Sequence, residues 1–75
     1  MSAVPRAHEV IRGGAAGAAD RVALDYEGRF LRRRRLVTEA GRAVLVDLAE
    51  TTSLDDGDAL ALSDGTRVAV RAAPE

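Results

Sequence analysis

The stretch Asp58-Ala59-Leu60-Ala61-Leu62-Ser63-Asp64-Gly65-Thr66-Arg67-Val68-Ala69-Val70-Arg71-Ala72 decides the fold class. Leu60 and Leu62 alternate with small residues, and Val68, Val70 and Ala72 alternate with Ala69 and Arg71, which is the pattern of strands that turn every second side chain to one face. Between the runs, Asp64-Gly65 suits the tight turn of a hairpin, where the backbone adopts angles that Gly and Asp accept and β-branched residues resist. The spacing predicts an antiparallel hairpin closed by a two-residue turn, with Leu60 and Leu62 facing one side and Val68, Val70 and Ala72 on the matching side.

Working outward, Thr51-Thr52-Ser53-Leu54-Asp55-Asp56-Gly57 is polar and turn-forming, with room for one short helical turn. Before it, Ala43 to Leu48 reads as a strand in which Val44, Val46 and Leu48 share the core face, entered by a turn at Glu39-Ala40-Gly41. Arg29 to Val37 is a further strand, and Val22 and Leu24, alternating with Ala23 and Asp25, predict its hairpin partner across a turn at Glu27-Gly28. Arg6 to Arg12, with its Val10-Ile11 pair, is the first strand, and Gly13 to Ala19, with three glycines, is a flexible connection. About six short strands separated by polar turns point to an all-β fold, either a small barrel or two stacked short-stranded sheets.

The 75 residues predict a single domain, 1–75, with too little interior for a deep catalytic cleft. With no cysteine and one histidine, His8, the chain lacks the ligands of a transition-metal site and the parts of an activated nucleophile, so it is expected to be no enzyme and to carry no metal or cofactor. Asp55-Asp56-Gly57-Asp58 lacks the oxygen spacing and closing Glu of a calcium loop. No apolar run approaches the length of a membrane span, and neither a signal peptide nor an anchor is read, so a cytoplasmic location is expected. A net charge of −1 removes the global positive field of a nucleic-acid binder and leaves only local patches to consider.

One such patch is explicit in Arg29-Phe30-Leu31-Arg32-Arg33-Arg34-Arg35-Leu36-Val37. Strict alternation would put Phe30, Arg32, Arg34 and Leu36 on one face and Leu31, Arg33, Arg35 and Val37 on the other, so neither face can lie wholly on a core. The strand must bulge or lie at a sheet edge. Its arginines either pair with Asp25, Glu27, Asp47 or Asp55 across strands, or offer guanidinium forks to a partner's carboxylates or to phosphates. A small β-barrel module that binds nucleic acid through this strand is the alternative, weakened by a supply of only two aromatics, Tyr26 and Phe30.

The ordered set Leu24-Asp25-Tyr26-Glu27-Gly28-Arg29-Phe30-Leu31-Arg32-Arg33-Arg34, Val46-Asp47-Leu48-Ala49-Glu50, Leu54-Asp55-Asp56-Gly57-Asp58-Ala59-Leu60, Asp64-Gly65, Val68-Ala69-Val70 and Ala72-Ala73-Pro74-Glu75 resembles the N-terminal domain of the urease accessory protein UreE family. It covers Arg21 to Glu75 closely and Arg6 to Arg12 loosely. The chain departs from the family where some members carry Pro-Arg-Gly at Ala49-Glu50-Thr51, and at Gly28, where the first turn is usually acidic.

The resemblance implies a nickel metallochaperone of the cytoplasm, a homodimer with two domains per chain that delivers Ni(II) to urease. It implies that a C-terminal domain, expected to begin beyond Glu75, holds the metal and the dimer contact. The N-terminal domain then resembles the peptide-binding domains of DnaJ-class co-chaperones, and its partners are the urease apoprotein and the other urease accessory proteins, with no role for a membrane. Arg29, Arg32, Arg33 and Arg35 are the candidate partner-binding residues, of which Arg29, Arg33 and Arg35 match the family's basic strand.

Overall fold

The computed structural model describes residues 4–73, so Pro74 and Glu75, the end of the resemblance, lie outside the described residues. The described residues form six strands, β1 (Arg6–Ile11), β2 (Asp20–Leu24), β3 (Phe30–Val37), β4 (Ala43–Ser53), β5 (Ala59–Leu62) and β6 (Arg67–Ala72). They make one strongly curled, half-barrel sheet in the order β2-β6-β5-β1-β4-β3. The all-β expectation holds, and the architecture is the barrel-like one rather than two stacked sheets.

The β5–β6 hairpin forms as the sequence predicts, with Leu60 opposite Val68. Its turn is a residue longer than expected: Leu62 N donates to Thr66 O at 2.9 Å, which leaves Ser63, Asp64 and Gly65 in the loop, with Gly65 at φ 88°. A three-residue loop ending on a left-handed glycine follows the right-handed twist of the strands. Leu60, Leu62, Val68 and Val70 join Val22, Leu24, Val44, Val46, Leu48 and Leu54 in the core, whereas Ala72 is exposed at the strand end. Ala59 and Ala69, both buried, are register partners on the opposite face, where the 13–19 connection lies against the sheet through Ala15 N to Gly57 O and Ala19 N to Arg67 O. Small residues at these positions allow that close approach.

Two further local expectations are corrected. The predicted β2–β3 hairpin does not form, because β2 pairs in parallel with β6 and β3 pairs antiparallel with β4. The turn between them is helical in its bonding, Arg29 N to Asp25 O and Phe30 N to Glu27 O at 3.1 Å, with Asp25 Oδ1 accepting from Gly28 N, and this geometry splays the strands. No helical turn forms at 51–57 either; β4 continues through Ser53, because the β-branched pair Thr51-Thr52 favours strand and Thr52 pairs with Leu31.

The two edge strands of the curled sheet meet at one end. Thr38 Oγ1, just past β3, donates to Asp20 Oδ2, and Glu39 N donates to Arg21 O at 2.8 Å. The Thr38 hydroxyl, with the amides of Arg21 and Ala40, holds the Asp20 carboxyl below its ordinary value against a smaller opposing effect of burial. A second carboxylate, Asp58, is almost fully buried and ties three segments: Oδ1 accepts from Gly13 N, and Oδ2 from Asp55 N and from Arg12 Nη1. Burial alone would raise the Asp58 pKa, but these hydrogen bonds and the Arg12 charge together hold it below the usual range.

Candidate functional site

The position of the arginines follows from how β3 resolves its conflicting pattern. Leu31 and Leu36 are both buried although an odd interval separates them, which regular alternation would send to opposite faces. Leu31 stands opposite Thr52 but Arg33 opposite Asp47, five steps along β4 against two along β3, so β4 carries three extra residues there. This irregularity, which includes Ala49 and Glu50 where some family members carry Pro-Arg-Gly, flips the inward face of β3. β3 lies at the sheet edge, one of the two resolutions that the sequence offered; the other is corrected, because the extra residues that accommodate the arginines belong to the partner strand β4 and not to β3 itself.

Of the four candidate arginines, the structure brings two together. Arg33 and Arg35 share the outer face of the sheet, and Arg33 Nε lies 3.4 Å from Asp47 Oδ1. Arg32 sits at the irregularity, where its Nε donates to Leu48 O at 3.4 Å. Arg29 is not on the strand; it lies in the β2–β3 turn, where Nη1 donates to Leu24 O and the guanidinium stands 5.9 Å from the Tyr26 ring centroid. Cross-strand pairing accounts for Arg33 alone among these four, since Asp55 is approached instead by Arg12, at 4.0 Å.

The register adds residues that the sequence reading passes over. Leu45 of β4 has Arg35 of β3 on one side and Arg6 of β1 on the other. The next row holds Arg33, Asp47 and His8, whose Nδ1 lies 3.2 Å from Asp47 O, and the row on the other side holds Val37 and Ala43. No local spacing announces Arg6, because a parallel pair joins segments far apart in the chain.

Charge is segregated over the whole molecule. Arg21, Arg67 and Arg71 lie on the same outer face as Arg6, Arg33 and Arg35, against Glu9 and Asp47, while Asp25, Glu27, Glu39, Asp55, Asp56 and Asp64 lie in turns. A net charge of −1 therefore conceals a cationic sheet face ringed by acidic turns. At the far end of β3, Tyr26 and Phe30, 72% and 63% exposed, line a groove of about 390 Å³ with Arg29, Leu54 and Asp55. Among the described residues, no group of three or more His, Cys, Asp or Glu is placed to hold a metal ion, and no helix is long and apolar enough to cross a membrane.

A half-barrel whose core is aliphatic, whose edge strand β3 carries arginine and whose outer face gathers cations around a leucine defines a small all-β domain with a cationic face. Residues 3–73 match the family described as UreE urease accessory protein, N-terminal domain. The chain is 56% identical over 72 residues to the urease accessory protein UreE of Rhodobacter capsulatus, covering 95% of this chain and 46% of that protein. It is 54% identical over 77 residues to the UreE of Cereibacter sphaeroides, covering 100% of the chain and 42% of that protein, and 53% identical over 72 residues to that of Paracoccus denitrificans, covering 96% and 46%.

The chain belongs to the UreE family of urease accessory proteins and is its N-terminal domain. It spans somewhat less than half the length of these relatives. Membership places it with accessory proteins and not with enzymes, in agreement with its composition.

Proposed function

We propose that this chain is the partner-docking domain of a nickel metallochaperone, assisting Ni(II) delivery during the assembly of urease in the cytoplasm. The observation that carries the reading is the cationic outer face: Arg33 and Arg35 stand side by side on an edge strand, on a face that the core does not use. Guanidinium groups placed this way suit bidentate contact with carboxylates on a protein partner. The partners are the urease apoprotein and the other urease accessory proteins, with Arg32 and Arg29 extending the contact along β3 and into its turn.

In this reading Ni(II) is cargo. The histidines that hold it, and the contact that makes a homodimer, belong to a C-terminal domain, in keeping with relatives about twice as long as the chain. The chain alone is then expected to bind no Ni(II) above background in equilibrium dialysis. The deciding experiment replaces both arginines, Arg33→Glu and Arg35→Glu, and measures capture of purified urease apoprotein with its accessory proteins. Loss of capture by tenfold or more is expected, and unchanged capture overturns the reading.

A further inference from the structure

We propose that the outer face of β1, β4 and β3 recognises an acidic amphipathic helix of a partner protein, gripped by Arg6 and Arg35 on either side of Leu45. The inference rests on the partner-docking reading and adds to it the surface and the form of what is bound.

Arg6, Leu45 and Arg35 occupy one lateral row across three adjacent strands. Strands lie about 4.8 Å apart, so the two arginine backbones stand about 10 Å apart with a leucine midway. Leu45 is half-buried, Val37 in the neighbouring row is 62% exposed, and neither belongs to the core. The row thus presents an apolar centre between two cations. Asp47, in the adjoining row, is engaged by Arg33, and neither Arg6 nor Arg35 has an ion-pair partner among the described residues.

A complementary partner carries two carboxylates about 10 Å apart with an apolar side chain between them on the same face. A helix supplies this with acids at i and i+7, about 10.5 Å apart at 1.5 Å per residue, and apolar residues at i+3 and i+4. An extended strand fits less well, since residues separated by that distance point to opposite faces. Nucleic acid fits less well again: Tyr26 and Phe30, the aromatics that would stack bases, sit at the far end of β3, and Asp47 lies within the patch.

The test titrates the isotope-labelled 75-residue chain with a synthetic 16-residue helix bearing Glu at i and i+7 and Leu at i+3 and i+4. Amide shifts are expected to centre on Arg6, Leu45 and Arg35. Replacing the two Leu of the peptide by Ser, or the two Glu by Gln, is expected to weaken binding at least fivefold, and Arg6→Glu or Arg35→Glu in the chain at least tenfold. Because the peptide series needs no altered protein, a variant that fails to fold does not spoil the test. Shifts centred elsewhere, no shifts at millimolar peptide, indifference to the Leu or Glu replacements, or tighter binding of an oligothymidylate of equal charge would each overturn the proposal. If urease capture still depends on Arg33 and Arg35 while the helix fails, the docking role stands and the helix is excluded.

Discussion

Arg12 Nη1 lies 2.7 Å from Asp58 Oδ2, and this contact joins the end of β1 to a carboxylate whose side chain is only 7% exposed. The arginine itself is 56% exposed, so the two partners are unequal. Removing Asp58 strands the amides of Gly13 and Asp55, whereas removing Arg12 leaves Asp58 with both amide donors. Asp58→Ala is therefore expected to destabilise the fold by roughly 2 to 6 kcal/mol, at about 1 to 3 kcal/mol for each orphaned donor. Arg12→Ala should cost clearly less. Urea unfolding of the two variants checks the order.

Asp58 and Asp20 both have folded-state pKa values below those of the unfolded chain. Their contribution is complete above the unfolded value and is lost as pH falls through the depressed folded values, when the protonated carboxyls no longer hold their donors as strongly. Stability is expected to be flat near neutrality and to fall below about pH 4, the region of an ordinary aspartate. In Asp58→Asn that acid limb should be shallower. Urea midpoints measured between pH 7 and pH 2.5 test the slope.

The closure of the sheet edges predicts a local opening. Thr38→Val removes the hydroxyl that serves Asp20 and also accepts from Arg42 N at 3.1 Å. The expected loss is about 1 to 3 kcal/mol, concentrated at this end. Hydrogen exchange at the Glu39 amide should accelerate well before that of Val68 or Val70, and uniform acceleration would count against a local latch.

Gly28 is buried in the β2–β3 turn, and a Cβ there would meet Asp25 Oδ1 at 2.8 Å, the same oxygen that accepts from the Gly28 amide. Gly28→Ala must displace that carboxylate and should destabilise by about 1 to 2 kcal/mol. Phe30→Ser, at an exposed position, should change stability by no more than about 0.5 kcal/mol, while Leu60→Ala, wholly buried, should cost about 2 to 5 kcal/mol. Thermal melts of the three variants separate these effects.

What was legible in the sequence was local alternation. The spacing of Val44, Val46 and Leu48 turns them inward, and the turn residues fix the Leu60–Val68 hairpin, because both depend on neighbours in the chain. The contradiction within Leu31 to Leu36 points to an edge strand, but not to the irregularity in β4 that resolves it, since nothing within β3 says which strand of a pair carries the extra residues. The pairings of β1 with β4 and of β2 with β6 left no local trace, and the apparent hairpin at Glu27-Gly28 misled because a turn-forming sequence does not say whether its flanks pair with each other. For the same reason Arg33 and Arg35 could be placed on one face, but not the arrival of Arg6 beside Leu45.

The strand order gives the molecule a particular folding history. β1, first in the chain, sits in the middle of the sheet between β5 and β4, so it can find no hydrogen-bonding partner until residues near Leu45 and Leu60 are in place. The β5–β6 hairpin can form early from its own turn, but the sheet closes only when the two ends of the chain meet. Such sequence-distant contacts make for slow folding, in the millisecond-to-second range of non-local β topologies. A nascent chain therefore leaves β1 waiting, whereas β3 can pair with β4 as soon as that strand follows it, and the arginines of β3 then guard an open sheet edge against adding to a neighbour's sheet.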